Sequence, residues 1–207
     1  MPTLRALLAS LAFLLAGGAV FSAATDQFQA FTTEAARRLA VQRHPVEIPA
    51  AGLQTQSGAH IQLSDFRGKW LVIDFIYTRC PSYCIALGGE FAQLQDRLAG
   101  PIAQGKVQLL SISFDPDHDI PSQLAAYLAH SRDRDRGRGW LAARPIDPDG
   151  LAQIKRAFGV TVIADGLGGY THNAAIHLVD PRGRLVGIFD LGDPGPVAQV
   201  VLQRLGR

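Results

Sequence analysis

Residues 70–77, WLVIDFIY, form a nearly continuous run of branched and aromatic apolar side chains, interrupted only by Asp74. Such a run fits a strand buried on both faces of a sheet, which in turn requires helices above and below it. A second run of this kind, KVQLLSISFD at 106–115, follows a segment in which Leu87, Phe91, Leu94 and Leu98 line one helical face. The spacing therefore predicts a strand over 70–77, a helix over 86–98 and a second strand over 106–115. A helix from Pro121, another from Gly150, a hairpin over 174–190 turning at Asp180–Gly183 and a last helix over 196–205 complete the pattern. Upstream, Leu53 opens a short strand, Ser57 and Gly58 turn it, and Ile61 and Leu63 alternate on the return. This order predicts an α/β domain with a central mixed sheet flanked by helices.

The N-terminus sets a second constraint. Ala6 to Thr25 carries no charge and follows Arg5, while Ser22 and Ala24 supply the small residues of a cleavage site. The run is also long enough to cross a bilayer once, at about 1.5 Å per residue. Either reading, signal peptide or membrane anchor over 1–25, sends the remainder across a membrane; anchor is the reading taken forward. Residues 26–47 are expected to form a linker or short helix, broken by Pro45 and Pro49, and residues 48–207 the folded domain. The net charge of +2, with no clustered basic face, argues against nucleic acid as a partner. The alternating RDRDRGRG segment reads as a solvated loop.

The chemistry concentrates where the first buried strand ends. Cys80 and Cys84 are the only cysteines in the chain, three residues apart at a predicted strand-to-helix junction. Two cysteines do not make a disulfide scaffold, and a bridge closing so small a loop restricts the unfolded chain little. A helix N-terminus favours thiolate over thiol, so the pair suits either disulfide exchange or a soft metal. Gly88 and Gly89 match no phosphate-binding loop, and SISFDPD lacks calcium-loop spacing. Asp74, an acid in an apolar strand, needs a partner or a polar edge. His44, His60, His118 and His130 have no reason in the sequence to converge, and His177 reads as a structural residue. Tyr77 and Phe75 read as packing residues, and Tyr83 as a side chain available to a partner.

KWLVIDFIYTRCPSYC, followed by LLSISFDPDHD and YTHNAAIHLVDPRGRLV, resembles the Sco/SenC family of membrane-anchored, thioredoxin-like copper proteins that assist assembly of cytochrome c oxidase. The resemblance runs from about residue 48 to 205 and implies a thioredoxin-like fold. It implies copper ligands at Cys80, Cys84 and His172, the last standing eight residues before the Asp180–Pro181 turn. It also places Asp115, of the Asp115–Pro116 pair, near the metal; Asp74, in the strand that leads to the cysteines, is read from its position as a further neighbour. The chain departs from the family pattern at Ile85, Asn173 and His177. Cuprous ion favours thiolate and imidazole, which fits the implied ligand set. The implied partners are the copper-bearing subunit of cytochrome c oxidase, a copper donor and thiol-disulfide partner proteins. The implied location is the periplasmic face of an inner membrane, or the periplasm after cleavage. The alternative is a thiol-disulfide oxidoreductase with Cys80 attacking and Cys84 resolving.

Overall fold

The computed structural model describes residues 2–80, 83–131 and 139–206, with backbone alone at 2 and 83–87. The predicted charged loop, apart from its last glycine, lies outside the described residues, as do Pro81 and the side chains of Tyr83 and Cys84. The chain divides into two compact units, Met1–His44 and Pro45–Arg207. The first holds α1 (Pro2–Ala24) and α2 (Thr33–Arg43). Thr32 caps α2 by accepting from the Ala35 amide, and Glu34 pairs with Arg37 at 2.6 Å across one turn.

The second unit is built on an eight-stranded sheet. Its strands are β1 (Val46–Glu47), β2 (Gly52–Thr55), β3 (His60–Gln62), β4 (Trp70–Ile76), β5 (Val107–Ser113), β6 (Trp140–Pro145), β9 (Ile176–Val179) and β10 (Arg184–Phe189). The order across the sheet is β1-β10-β9-β4-β5-β6-β2-β3. β4, β5 and β6 run parallel, and β9 lies antiparallel against β4. Every residue of β4 is buried, as its unbroken apolar sequence requires. A separate two-stranded hairpin joins β7 (Val162–Ala164) to β8 (Tyr170–His172).

Alternation along β4 divides the core. Val72 packs with Phe91 and Leu94 of α3 (Tyr83–Arg97), with Leu98 just beyond it, and with Val197 and Val201 of α7 (Gly195–Leu205). Tyr127 and Leu128 of α5 (Pro121–Ser131) join the same side, and the short α4 (Ala99–Ala103) follows α3. On the opposite face, Phe75 and His177 meet Phe158 of α6 (Pro148–Phe158) at ring distances of 5.3 and 5.6 Å. His177, where the family pattern has an aromatic residue, thus keeps an aromatic-type contact in the core.

This is the α/β, thioredoxin-like arrangement with a central mixed sheet and an N-terminal hydrophobic helix that the sequence predicts. Three local expectations change. Leu63 does not continue the return strand but opens a 3-10 turn over Leu63–Phe66, because Asp65 accepts from the Gln62 amide at 2.7 Å and caps it. Residues 140–145 form a third parallel strand, which WLAARP conceals because it lacks β-branched residues. Residues 162–172 form a hairpin that short strands and a glycine-rich turn hide from pattern reading.

Candidate metal centre at a strand-to-helix corner

β4 ends at Ile76, and the four residues after it carry the chain to Cys80 at the foot of α3. A buried carboxylate holds this corner. Asp119 accepts from the Thr78 amide at 3.0 Å, from the Thr78 hydroxyl at 2.6 Å and from the Ser113 hydroxyl at 2.5 Å. Ser113 in turn accepts from the Asp115 amide at 3.0 Å, so the ends of β4 and β5 are tied through side chains as well as through the sheet. The Cys80 amide donates to the Tyr77 carbonyl at 3.2 Å, turning the chain so that Cys80 is buried. The sequence pattern singles out Asp115 and passes over Asp119; the available signal is a further acid four residues after Asp115, which is one turn if the segment coils.

Asp115 lies next to this bond system. It accepts from Arg79 at 2.8 Å and pairs with His118 at 2.9 Å. Burial pushes its pKa up, but the hydrogen bonds from Arg79 and His118 outweigh burial and hold it below the usual carboxylate range. Asp115 therefore fixes the side chain of Arg79, the residue before Cys80 in the chain.

The imidazole arrives from the β7–β8 hairpin. His172 pairs in register with Val162, and its ring lies tilted against that of Phe114, the residue after β5, at 4.9 Å. Tyr77, Phe114 and Tyr170 form a mutual cluster at 5.2 to 5.7 Å, and the Tyr77 hydroxyl exchanges hydrogen bonds with the Tyr170 backbone. The hairpin base is pinned by Asn173, whose side chain accepts from the Thr161 amide at 2.7 Å and donates to the Gly159 carbonyl at 2.9 Å. The departure at Asn173 thus serves to hold the strand that carries His172.

Cys80 and His172 line one cavity of about 300 Å³ together with Tyr170, Thr171, Ala174 and Leu191. Both ring nitrogens of His172 are buried and make no hydrogen bond among the described residues. Burial lowers its pKa, which favours the neutral imidazole, the form that binds metals. Asp115 does not orient His172 through a hydrogen bond; its partners are Arg79 and His118. No group of three metal-binding side chains occurs among the described residues, and the Cys84 side chain is outside them. The backbone sets position 84 in the first turn of α3.

Asp74 sits in the middle of this framework. It is fully buried and paired in register with Ser111, whose hydroxyl accepts from the Trp140 indole at 2.9 Å. Neither Asp74 oxygen has a well-formed hydrogen bond, and burial pushes its pKa up to about 7 despite the nearby Ser111 hydroxyl, with the Glu90 charge adding to the rise. Glu90, on α3, accepts from the Gly192 amide at 2.6 Å and so secures the segment that carries Leu191 into the cavity wall. Its pKa is also raised by burial.

A thioredoxin-like sheet with a cysteine at the first strand-to-helix corner and a histidine brought to it by a separate hairpin defines the class. The chain belongs to the SCO1/SenC family, whose family model matches residues 50–205. It is 25% identical over 158 residues to the SCO1 protein homolog of Bacillus subtilis (strain 168), covering 75% of this chain and 79% of that protein. It is 30% identical over 125 residues to the mitochondrial SCO2 homolog of Bos taurus, covering 58% of this chain and 45% of that one. Among solved structures, Bradyrhizobium japonicum ScoI with copper bound superposes with a TM-score of 0.62 at 27% identity, over 76% of this chain and 98% of that one. A SCO1/SenC family lipoprotein from Bacillus anthracis str. Ames shares the fold, with a TM-score of 0.69 at 22% identity over 80% of this chain and 99% of that one.

Proposed function

We propose that the protein is a copper chaperone that holds copper through Cys80, Cys84 and His172 and passes it to the copper-bearing subunit of cytochrome c oxidase. The observation that carries this reading is His172: its imidazole, buried and without a hydrogen-bond partner among the described residues, shares a cavity with Cys80 from a distant part of the sequence. Such a nitrogen is costly to bury unless something else binds it, and a soft cation beside a cysteine sulfur does so. Membership of the SCO1/SenC family, and the copper bound in Bradyrhizobium japonicum ScoI, support copper as that cation. Copper is here the cargo: the protein's part is to keep two thiolates and a neutral imidazole ready, and to release the ion by exchange of ligands. Asp115, Arg79 and Asp119 position the corner that bears Cys80. The N-terminal helix holds the domain at the outer face of the membrane it crosses.

The test is anaerobic titration of the reduced full-length chain with cuprous ion against a competing chelator. One copper per chain is expected, lost when both cysteines are replaced. A folded, reduced chain that fails to compete for copper would overturn the reading and leave thiol-disulfide exchange by Cys80 and Cys84 as the function.

A further inference from the structure

The edge of a sheet carries backbone groups able to accept a further strand, and this fold covers most of its edges. β1 lies between Pro45 and Pro49, and β3 spends the outward amide of Gln62 on its own Asp65. In the separate hairpin, Tyr170 of β8 turns its amide and its carbonyl to the Tyr77 hydroxyl. The other side of that hairpin is open. The Asn173 amide donates to the Thr161 carbonyl at 3.4 Å, and the Asp165 amide to the Gly169 carbonyl at 3.0 Å. Alternation between those two pairs directs the amides and carbonyls of Val162 and Ala164 away from β8. They have no partner among the described residues, and Ile163 between them is 61% exposed.

We infer that the β7 edge is where a second copy of this chain docks, its own β7 running antiparallel about a two-fold axis at Ile163. Val162 exchanges both groups with Ala164 of the second copy, and Ala164 with Val162, so each free group finds one partner. Ile163 then faces its counterpart in the closer, non-hydrogen-bonded type of pair, and two exposed branched side chains leave water together. Charge selects this occupant and this direction. Asp165 stands just past the end of β7, whereas Lys155 and Arg156 stand in the last turn of α6, shortly before β7 begins. An antiparallel copy lays the acidic end of each β7 along the basic approach to the other. It also sets Asp165 opposite Thr161 of the other chain, which avoids like charges across the pair. The joined sheet has the order β8-β7-β7-β8, so the strand that carries His172 is outermost in both copies.

The test removes the proposed copper thiolates, so its outcome is independent of the function proposed above. Cys80→Ser and Cys84→Ser are combined in the full-length chain with one new cysteine, either Ile163→Cys or Thr171→Cys. Diamide oxidises the thiols, taking up the two hydrogens released as each disulfide forms. Thr171 is exposed, pairs with Ile163 across the hairpin and shares its face. In the dimer, position 163 lies about 4.5 Å from its counterpart between Cα atoms. Position 171 lies about 14 Å from its own, three strand spacings away and beyond the roughly 7 Å that a disulfide spans. Ile163→Cys is therefore expected to give disulfide-linked dimer at least about tenfold faster than Thr171→Cys. Adding Ala164→Pro, which removes an outward donor and leaves the bonds to β8, should abolish most of that advantage. Equal rates at the two positions, or a faster Thr171→Cys, would show random collision and overturn the inference. A rate unchanged by Ala164→Pro would overturn it too, because the edge would then not hold the second copy. If Ala164→Pro does not fold, Thr161→Asp replaces it by setting an acid opposite Asp165 of the second copy: slower linkage at 163 supports the dimer, and an unchanged rate rejects it.

Discussion

His172 and Asp74 hold interior polar atoms that make no hydrogen bond among the described residues, and the two make different predictions. Replacing His172 with Ala removes a ring that bonds to nothing among the described residues, so the fold is expected to survive. Copper affinity should fall by more than the roughly 10- to 100-fold typical of losing an outer partner. Competition with a chelator and a thermal melt together check this; unchanged affinity removes His172 from the ligand set. Asp74 has a folded-state pKa of about 7 against an ordinary 3.8, so its burial opposes folding once the unfolded chain ionises. That penalty is absent below about pH 4, grows through the interval between the two values and levels off above about pH 7. Asp74→Asn should therefore lose less stability than the wild type between pH 4 and pH 8, by an amount on the order of 4 kcal/mol. Urea denaturation at both pH values measures it, and parallel pH profiles for the two proteins would show that Asp74 is not the source.

At the scale of elements, the site depends on how a loop and a hairpin are fastened. Asp119 satisfies the Thr78 amide, the Thr78 hydroxyl and the Ser113 hydroxyl at once. Asp119→Ala leaves the buried Ser113 hydroxyl and the half-buried Thr78 donors without this acceptor, at a cost of about 1–3 kcal/mol for the buried one and less for the others. The expected result is a chain several kcal/mol less stable with copper affinity reduced about 10- to 100-fold. Asp119→Asn, which keeps an acceptor oxygen, should recover part of both. Equal copper affinity in Asp119→Ala and the wild type would show that Cys80 is placed by other means. This corner also shows what the sequence made legible. The apolar runs at 70–77 and 106–115 announce buried strands because burial on both faces demands unbroken hydrophobicity, and the cysteines between them stand where such a strand meets a helix. Residues 140–145 give no such announcement: alanines pack between strands on small volume rather than on branching. The role of Asp119 depends on a donor set from Thr78 and Ser113 that comes together only after the sheet forms. The approach of His172 to Cys80 likewise depends on the hairpin pinned by Asn173, and spacing alone cannot show it.

At the scale of the whole molecule, the first helix and the α/β unit treat their apolar side chains differently. The helix over Thr3–Ala24 has a mean hydropathy of 2.1 and is long and apolar enough to span a membrane; Phe13 and Leu14 lie well exposed along it. The second unit instead buries its apolar side chains against a sheet, so nothing in its core calls for lipid. Cleavage after Ala24 and retention of the helix therefore lead to different fractions of the cell, and retention is the outcome expected. The intact chain should sediment with membranes and resist alkaline extraction. Leu11→Arg with Leu14→Arg places two charges near the centre of the span, each costing about 2.5–3.5 kcal/mol on insertion scales. Together they should abolish stable insertion while leaving copper binding within about twofold, since both residues belong to the N-terminal unit and not to the unit that holds the metal-binding corner. Recovery of the unaltered protein in the soluble fraction, with its mass reduced by the first 24 residues, would show instead that the segment is a cleaved signal.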